Sequence, residues 1–341
     1  MAQDMDEAPV RERIGSGPAR PASPRWLTLA LAGVIAAVLV AGGIVGATRY
    51  ITNFWLYRGF APPSAPHSVV VRGPRGPRTV RVVLPTVQII TVAGQAIGGF
   101  HDPVYVVLPP GYASHPRQRY PVLYLLHGFP GQPGGFLNIG RIATTEAALV
   151  AAGRMKPMIL VMPTGTRSFL ADEEWANGVR PGNGWETFVA HDLVTAIDAR
   201  YRTIASPAAR GLAGLSEGGY GALNIGLHHP GEFGLLESWS GYMQADHIAA
   251  VFGRSPSRLA YNSPASSVTS VAPQLLAGHT YIWFYIGARD PLAPQNSAFA
   301  AELTALGVPH HFYEKPGSHS WRLWRSQMAQ ALITASEHLR A

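Results

Sequence analysis

The chain has 341 residues, of which 47% are hydrophobic and only 14% charged, and it contains no cysteine. That composition supplies ample material for a core, and it excludes a wholly disordered chain, a disulfide framework, a thiolate nucleophile, an iron–sulfur cluster and a Cys-ligated zinc. The net charge of +7 is local: no acidic residue stands between Glu12 and Asp102, a stretch that holds Arg49, Arg58, Arg72, Arg75, Arg78 and Arg81. With no helix-turn-helix pattern or aromatic-studded basic face beside these arginines, nucleic acid is not an expected partner.

Residues 1–26 are rich in Ala, Pro, Ser and balanced charge and read as a disordered tail. Leu27–Ala47 follows, 21 residues in which Thr28 is the one conventional polar side chain. At 1.5 Å per residue this is about the length that crosses a hydrocarbon layer, so it reads as a transmembrane segment, with Trp26, Tyr50, Trp55 and Tyr57 placed as interfacial aromatic anchors. Val45-Gly46-Ala47 ends in small residues like a signal-peptide processing site, but the run is longer than a cleaved signal's apolar region, which favours a retained anchor. Arg11, Arg13, Arg20 and Arg25 precede it and Arg49 and Arg58 follow. This asymmetry predicts a single-pass cell-membrane protein with its body outside the cytoplasm. Residues 48–78 read as a Pro/Arg-rich linker, the run from Arg72 to Arg78 as an extended spacer, and 79–341 as the catalytic domain.

From residue 80 the pattern becomes regular. Apolar, β-branched runs appear at Val80–Leu84, Val104–Leu108, Val122–Leu126, Met158–Met162, Gly211–Leu215, Leu235–Trp239 and Tyr281–Ile286. Helical stretches are expected at Thr144–Ala152, Trp185–Tyr201, Tyr220–His228 and Gln295–Leu306, with a further helix at the C-terminus. Strands alternating with helices predict an α/β fold, a mostly parallel central sheet covered on both faces, entered through two or three antiparallel strands.

Gly214-Leu215-Ser216-Glu217-Gly218 fits G-x-S-x-G between an expected strand and an expected helix. A turn that tight needs residues without bulk at Gly214 and Gly218, and it lifts the Ser216 hydroxyl clear of the sheet as a nucleophile. A serine needs a base, and the base needs a third group to fix its tautomer. His319, in the loop Pro316–Trp321 before the terminal helix, is the candidate base; His228, His229, His310 and His311 read as structural. Asp290, directly after Tyr281–Ile286, is the leading third member, with Glu237 as the alternative. The order Ser216, Asp290, His319 is that of α/β-hydrolases. For the oxyanion, the backbone N–H groups of Glu217 and of Phe129, beside Gly128 in the loop after Val122–Leu126, are the candidates, with His127 shaping the loop.

The pieces Pro121–Gly128, Trp185–Phe188, Gly214–Leu223, Gly287–Asp290 and Gly317–Trp321 resemble the esterase D family of α/β-hydrolases, which includes feruloyl esterases, S-formylglutathione hydrolases and mycolyltransferases. The resemblance runs from about residue 80 to the C-terminus. It implies an α/β-hydrolase fold, a triad of Ser216, Asp290 and His319, oxyanion donors at Phe129 and Glu217, and a carboxylic-ester substrate. The expected activity is ester hydrolysis through an acyl-enzyme. The alternatives are an acyltransferase of mycolyltransferase type and a non-catalytic hydrolase-fold binding protein. No cofactor or metal is expected; Asp172, Glu173, Glu174 and Asn177 lack a metal-binding spacing. The anchor and the arginines point to a lipid-linked envelope ester, and the acidic residues near the nucleophile to a neutral or cationic acyl group, as in an aminoacyl-phospholipid.

Overall fold

The computed structural model describes residues 68–340 except 74–75, 169–170, 172 and 246–248, together with Val40 and Gly43. Two compact units divide the chain between Thr52 and Asn53. Of the first, Val40 and Gly43 are described, both helical and exposed. The rest of the expected transmembrane segment and the tail lie outside the described residues. Among the described residues no helix is long and apolar enough to cross a membrane.

The expected linker needs correction over its described part. Ser68–Gly73 (β1) and Gly76–Arg81 (β2) pair antiparallel, and β2 spans the expected boundary at 78. Valines 69–71 and Thr79-Val80 favour extended pairing, and Gly76 supplies the left-handed φ of +100° beside the turn. Pro77 is tolerated because a two-stranded ribbon consists of edges.

The main sheet has eight strands: Thr86–Gly94 (β3), Phe100–Leu108 (β4), Val122–Leu126 (β5), Ile159–Pro163 (β6), Arg210–Leu215 (β7), Leu235–Trp239 (β8), Tyr281–Gly287 (β9) and His310–Lys315 (β10). Their order is β10-β9-β8-β7-β5-β6-β4-β3. The β3/β4 and β4/β6 pairs are antiparallel and the remaining pairs parallel, as the alternation of elements predicts. Strands β5 to β8 are buried at every residue, which is why each reads as a continuous apolar run.

Two apolar layers flank the sheet. On one face, residues such as Val189, Leu193, Leu223, Val268 and Phe299 bring in the helices Val194–Arg200, Glu217–His228, Pro264–Ala277 and Ala293–Ala305 with the π-helical turn Phe188–Leu193. On the other, Phe136, Leu149, Leu323 and Leu332 bring in Gly134–Asn138, Ile142–Ala151 and Trp321–His338. The expected helix Trp185–Tyr201 is thus three pieces, Trp185–Thr187, the π turn and Val194–Arg200. Because β5 to β10 run parallel, the loops after them gather on one rim, where an open α/β sheet places its ligands.

Candidate active site

Ser216 stands between β7 and the helix Glu217–His228 with φ 56° and ψ −122°, a strained conformation for a residue with a side chain. Its surroundings hold it there. The Ser216 N–H donates to the Trp239 carbonyl at 2.9 Å, and its own carbonyl accepts from Gly219 and Tyr220 at 2.9 and 3.1 Å. A Cβ on Gly214 would lie 2.1 Å from the Gly218 carbonyl oxygen, and one on Gly218 would lie 2.0 Å from that of Leu126. Both obstacles are backbone, so the two glycines are a steric requirement of the turn.

His319 comes from the loop between β10 and Trp321–His338. Its Nε2 lies 2.7 Å from the Ser216 Oγ and its Nδ1 2.7 Å from Asp290 Oδ2. The Asp290 carboxylate is fully buried, while 32% of the His319 side chain is exposed. The other carboxylate oxygen accepts the Leu292 N–H at 3.1 Å. The two loops are laced together: Ala288 donates to the Lys315 carbonyl at 2.8 Å and Arg289 to that of Gly317 at 2.9 Å. The His319 ring meets Trp324 edge-on at 5.1 Å, and the Trp324 indole N–H donates to Ser240 Oγ at 3.1 Å. With a carboxylate at Nδ1, the ring keeps its proton there and presents a lone pair at Nε2 to the serine hydroxyl.

The structure therefore brings Ser216, His319 and Asp290 together, three residues widely separated in sequence. It does not bring Glu237 to His319. That carboxyl is completely buried and accepts the Trp239 indole N–H at 3.0 Å; burial pushes its pKa well above the usual carboxylate range. Gly128 packs against the nucleophile, since a Cβ there would lie 2.7 Å from that of Ser216, and Phe129 next to it is exposed. Glu217 opens its helix, so its N–H stands at the positive end of the macrodipole. His127 is buried, with Nε2 2.7 Å from the Thr164 carbonyl oxygen and Nδ1 3.1 Å from that of Gly128, which fits its reading as a loop-shaping residue.

The acidic residues are placed differently from a solvent-facing cluster. Glu174 and Glu217 are buried; burial raises the Tyr220 pKa well above its ordinary value, and the neighbouring charges of Glu174, Glu186 and Glu217 add to it. Asp172 lies outside the described residues. Glu186, in the Trp185–Phe188 motif, meets His228 Nδ1 and His229 Nε2 at 3.1 Å each. Burial alone would raise its pKa, but the hydrogen bonds and charge of the two imidazoles outweigh it and hold Glu186 down to about 2. Sequence reasoning assigned both histidines to structure and missed their partner; the adjacent His-His pair on a buried helix was the available signal.

Fold and geometry define the class: an α/β-hydrolase with serine, histidine and aspartate hydrogen-bonded in series. The chain belongs to the esterase family, for the profile described as "Putative esterase" matches residues 99–335. It is similar to Esterase Rv1288 of Mycobacterium tuberculosis, 30% identical over 253 residues that cover 66% of this chain and 54% of that protein, so the chain spans about half the length of this curated relative. Among solved structures it is similar to a ferulic acid esterase, at 25% identity and a TM-score of 0.66 over 75% of this chain and 99% of that one. It also shares its fold with FphF, a fluorophosphonate-binding serine hydrolase of Staphylococcus aureus, at 17% identity and a TM-score of 0.62 over 74% of this chain and 99% of that one.

Proposed function

We propose that the chain is a carboxylic-ester hydrolase that works through an acyl-enzyme on Ser216. The observation that carries this reading is the pair of 2.7 Å contacts joining Ser216 Oγ, His319 and Asp290. As Oγ attacks the ester carbonyl, His319 Nε2 takes the hydroxyl proton and the carbonyl π pair moves onto oxygen. The N–H groups of Glu217 and Phe129 stabilise that oxyanion, each such donor being worth roughly 10²–10³ in kcat. Collapse breaks the bond to the alkoxide, which leaves with the proton from His319. Water then repeats the sequence: His319 takes its proton, the hydroxide attacks the acyl carbon, and Ser216 departs protonated. Asp290 holds the Nδ1 proton and stabilises the imidazolium in both halves.

Ser216→Ala tests the assignment. It should leave a folded protein whose turnover of short p-nitrophenyl esters is lower by several orders of magnitude, because the three groups act as a unit. Retained activity in a pure sample refutes it.

The substrate class follows from location and charge. Leu27–Ala47 anchors the body at a membrane, the acid-free arginine stretch draws it toward anionic head groups, and the ester it meets is lipid-linked. The buried carboxylates of Glu174 and Glu217 support a neutral or cationic acyl group, such as the aminoacyl ester of a phospholipid, over an anionic one. Comparing kcat/KM for matched neutral, cationic and anionic acyl esters, with Glu217→Gln alongside, tests this. Differences below about threefold, under 1 kcal/mol in transition-state binding, refute the electrostatic selection.

A further inference from the structure

Beside the triad lies a second set of polar groups whose burial the hydrolytic scheme leaves unexplained. Asp102, on β4, is fully buried. Its Oδ2 accepts the Thr164 N–H at 3.0 Å and its Oδ1 the Gly165 N–H at 3.1 Å. Burial, only partly offset by these two backbone donors, pushes its pKa to about 7. A carboxyl kept in such a place, held by two backbone N–H groups, is a costly way to fix a turn, and cost of that kind concentrates at functional sites.

The turn it fixes supports the His127–Phe129 loop in two ways, directly through Thr164 and indirectly through Trp175. The Thr164 carbonyl lies 2.7 Å from His127 Nε2; burial lowers the pKa of His127, and the single N–H of a neutral ring serves this closer contact. Gly165, at φ +63°, is the floor on which Trp175 rests: a Cβ there would lie 2.0 Å from the indole ring. Trp175 is itself buried, packs edge-on against His127 at 5.1 Å and donates its indole N–H to the His127 carbonyl at 2.9 Å. To reach that carbonyl the chain holds two consecutive side-chain-bearing residues in the left-handed region, Glu174 at φ 54° and Trp175 at φ 49°. Its Cβ also closes against the nucleophile's helix, 2.6 Å from where a Cβ on Gly221 would stand.

We propose that Asp102 and Trp175 are positioning residues that clamp the His127–Phe129 loop against Ser216 and so set the direction of the Phe129 N–H toward the oxyanion. Asp102 acts through Thr164 and Gly165, and Trp175 acts directly on the His127 carbonyl. Phe129 is two residues further along the same loop, and Gly128 between them already abuts Ser216. The proposal rests on the acyl-enzyme reading above and adds to it the residues that orient one oxyanion donor.

Trp175→Phe, which keeps an aromatic ring but removes the N–H, and Asp102→Asn, which puts an amide donor opposite one of two N–H groups, test the clamp. Active-site titration with a fluorophosphonate normalises each rate to folded, labelled protein, so loss of fold alone leaves kcat unchanged. The expected result is kcat lowered about 10–100-fold with KM within about twofold, since misplacing a transition-state donor acts on kcat alone. The inhibition constant of a trifluoromethyl ketone, which captures Ser216 as a tetrahedral adduct, should weaken by a similar factor. The double variant should be no worse than the poorer single variant by more than about threefold, because both act on one loop. Trp175→Phe with unchanged kcat per labelled site overturns the clamp, whether or not Asp102→Asn folds. A wild-type protein that is neither labelled at Ser216 nor active overturns the acyl-enzyme reading, and the clamp with it; labelled, active wild type beside an unaffected Trp175→Phe overturns the clamp alone.

Discussion

Replacing Glu186 by glutamine should destabilise the body by about 3 kcal/mol and leave a pH signature that packing loss cannot mimic. Only 2% of its side chain is exposed, and its two carboxylate oxygens meet His228 and His229 at 3.1 Å. His228 also places Nε2 2.7 Å from the Tyr261 carbonyl oxygen, so its ring is held between that carbonyl and the Glu186 carboxylate. The magnitude follows from the depression of the Glu186 pKa from 4.5 to about 2; at about 1.4 kcal/mol per unit this is roughly 3 kcal/mol. Removing one partner of a buried pair costs a similar ~3–5 kcal/mol. A carboxyl with a depressed folded-state pKa contributes its stability above the unfolded value and loses it as pH falls toward the folded value. Urea unfolding at pH 6 should therefore show the full gap between wild type and Glu186→Gln, and the gap should close between pH 4.5 and 2. A gap under about 0.5 kcal/mol at pH 6, within the range of ordinary surface substitutions, refutes the argument, and so does a gap that stays constant into acid.

Further outcomes follow from other contacts. Gly218→Ala should abolish activity and lower the yield of folded protein, because the added Cβ would stand 2.0 Å from the Leu126 carbonyl oxygen, a backbone atom that cannot swing away; a well-folded, active variant counts against the turn described. Asp290→Asn should cut kcat by about 10⁴, while Glu237→Gln should keep turnover within a few-fold, since that carboxyl is buried against the Trp239 indole N–H and is not brought to His319; the reverse pattern in steady-state kinetics would move the acid to β8. If Leu27–Ala47 is a retained anchor with the body outside, protease added to intact spheroplasts digests the hydrolase domain. Full protection contradicts that topology, and a mature N-terminus near Thr48 shows cleavage instead.

Much of this was legible in the sequence where the structure is buried on both faces. Val122–Leu126 and Leu235–Trp239 match their strands to the residue, because central parallel strands have no outward side to interrupt the apolar run. Ser216, Asp290 and His319 could be named because each follows a strand in a glycine-bearing loop. The edge behaves differently. Val80–Leu84 looked like a strand by density of apolar residues, yet β2 ends at Arg81 and Val83 and Leu84 are exposed. The strand is Thr86–Gly94, whose burial alternates along its inner half. Beyond that, nothing local marks Asp102 or Trp175. Their roles depend on partners more than 40 residues away, and a left-handed Trp175 has no signature in composition or spacing. The Glu186 clamp was hidden likewise, by 43 residues between acid and base.

In the proposed reaction Ser216 carries the covalent acyl intermediate. Rapid acid quench of the enzyme with a slowly deacylating ester, followed by peptide mass spectrometry, tests it most directly. The expected result is one acyl group per molecule, on the peptide containing Gly214–Gly218 and specifically on Ser216, absent from Ser216→Ala and accumulating in His319 variants only far more slowly. An adduct on any other residue, or full turnover with no adduct at all, would contradict it.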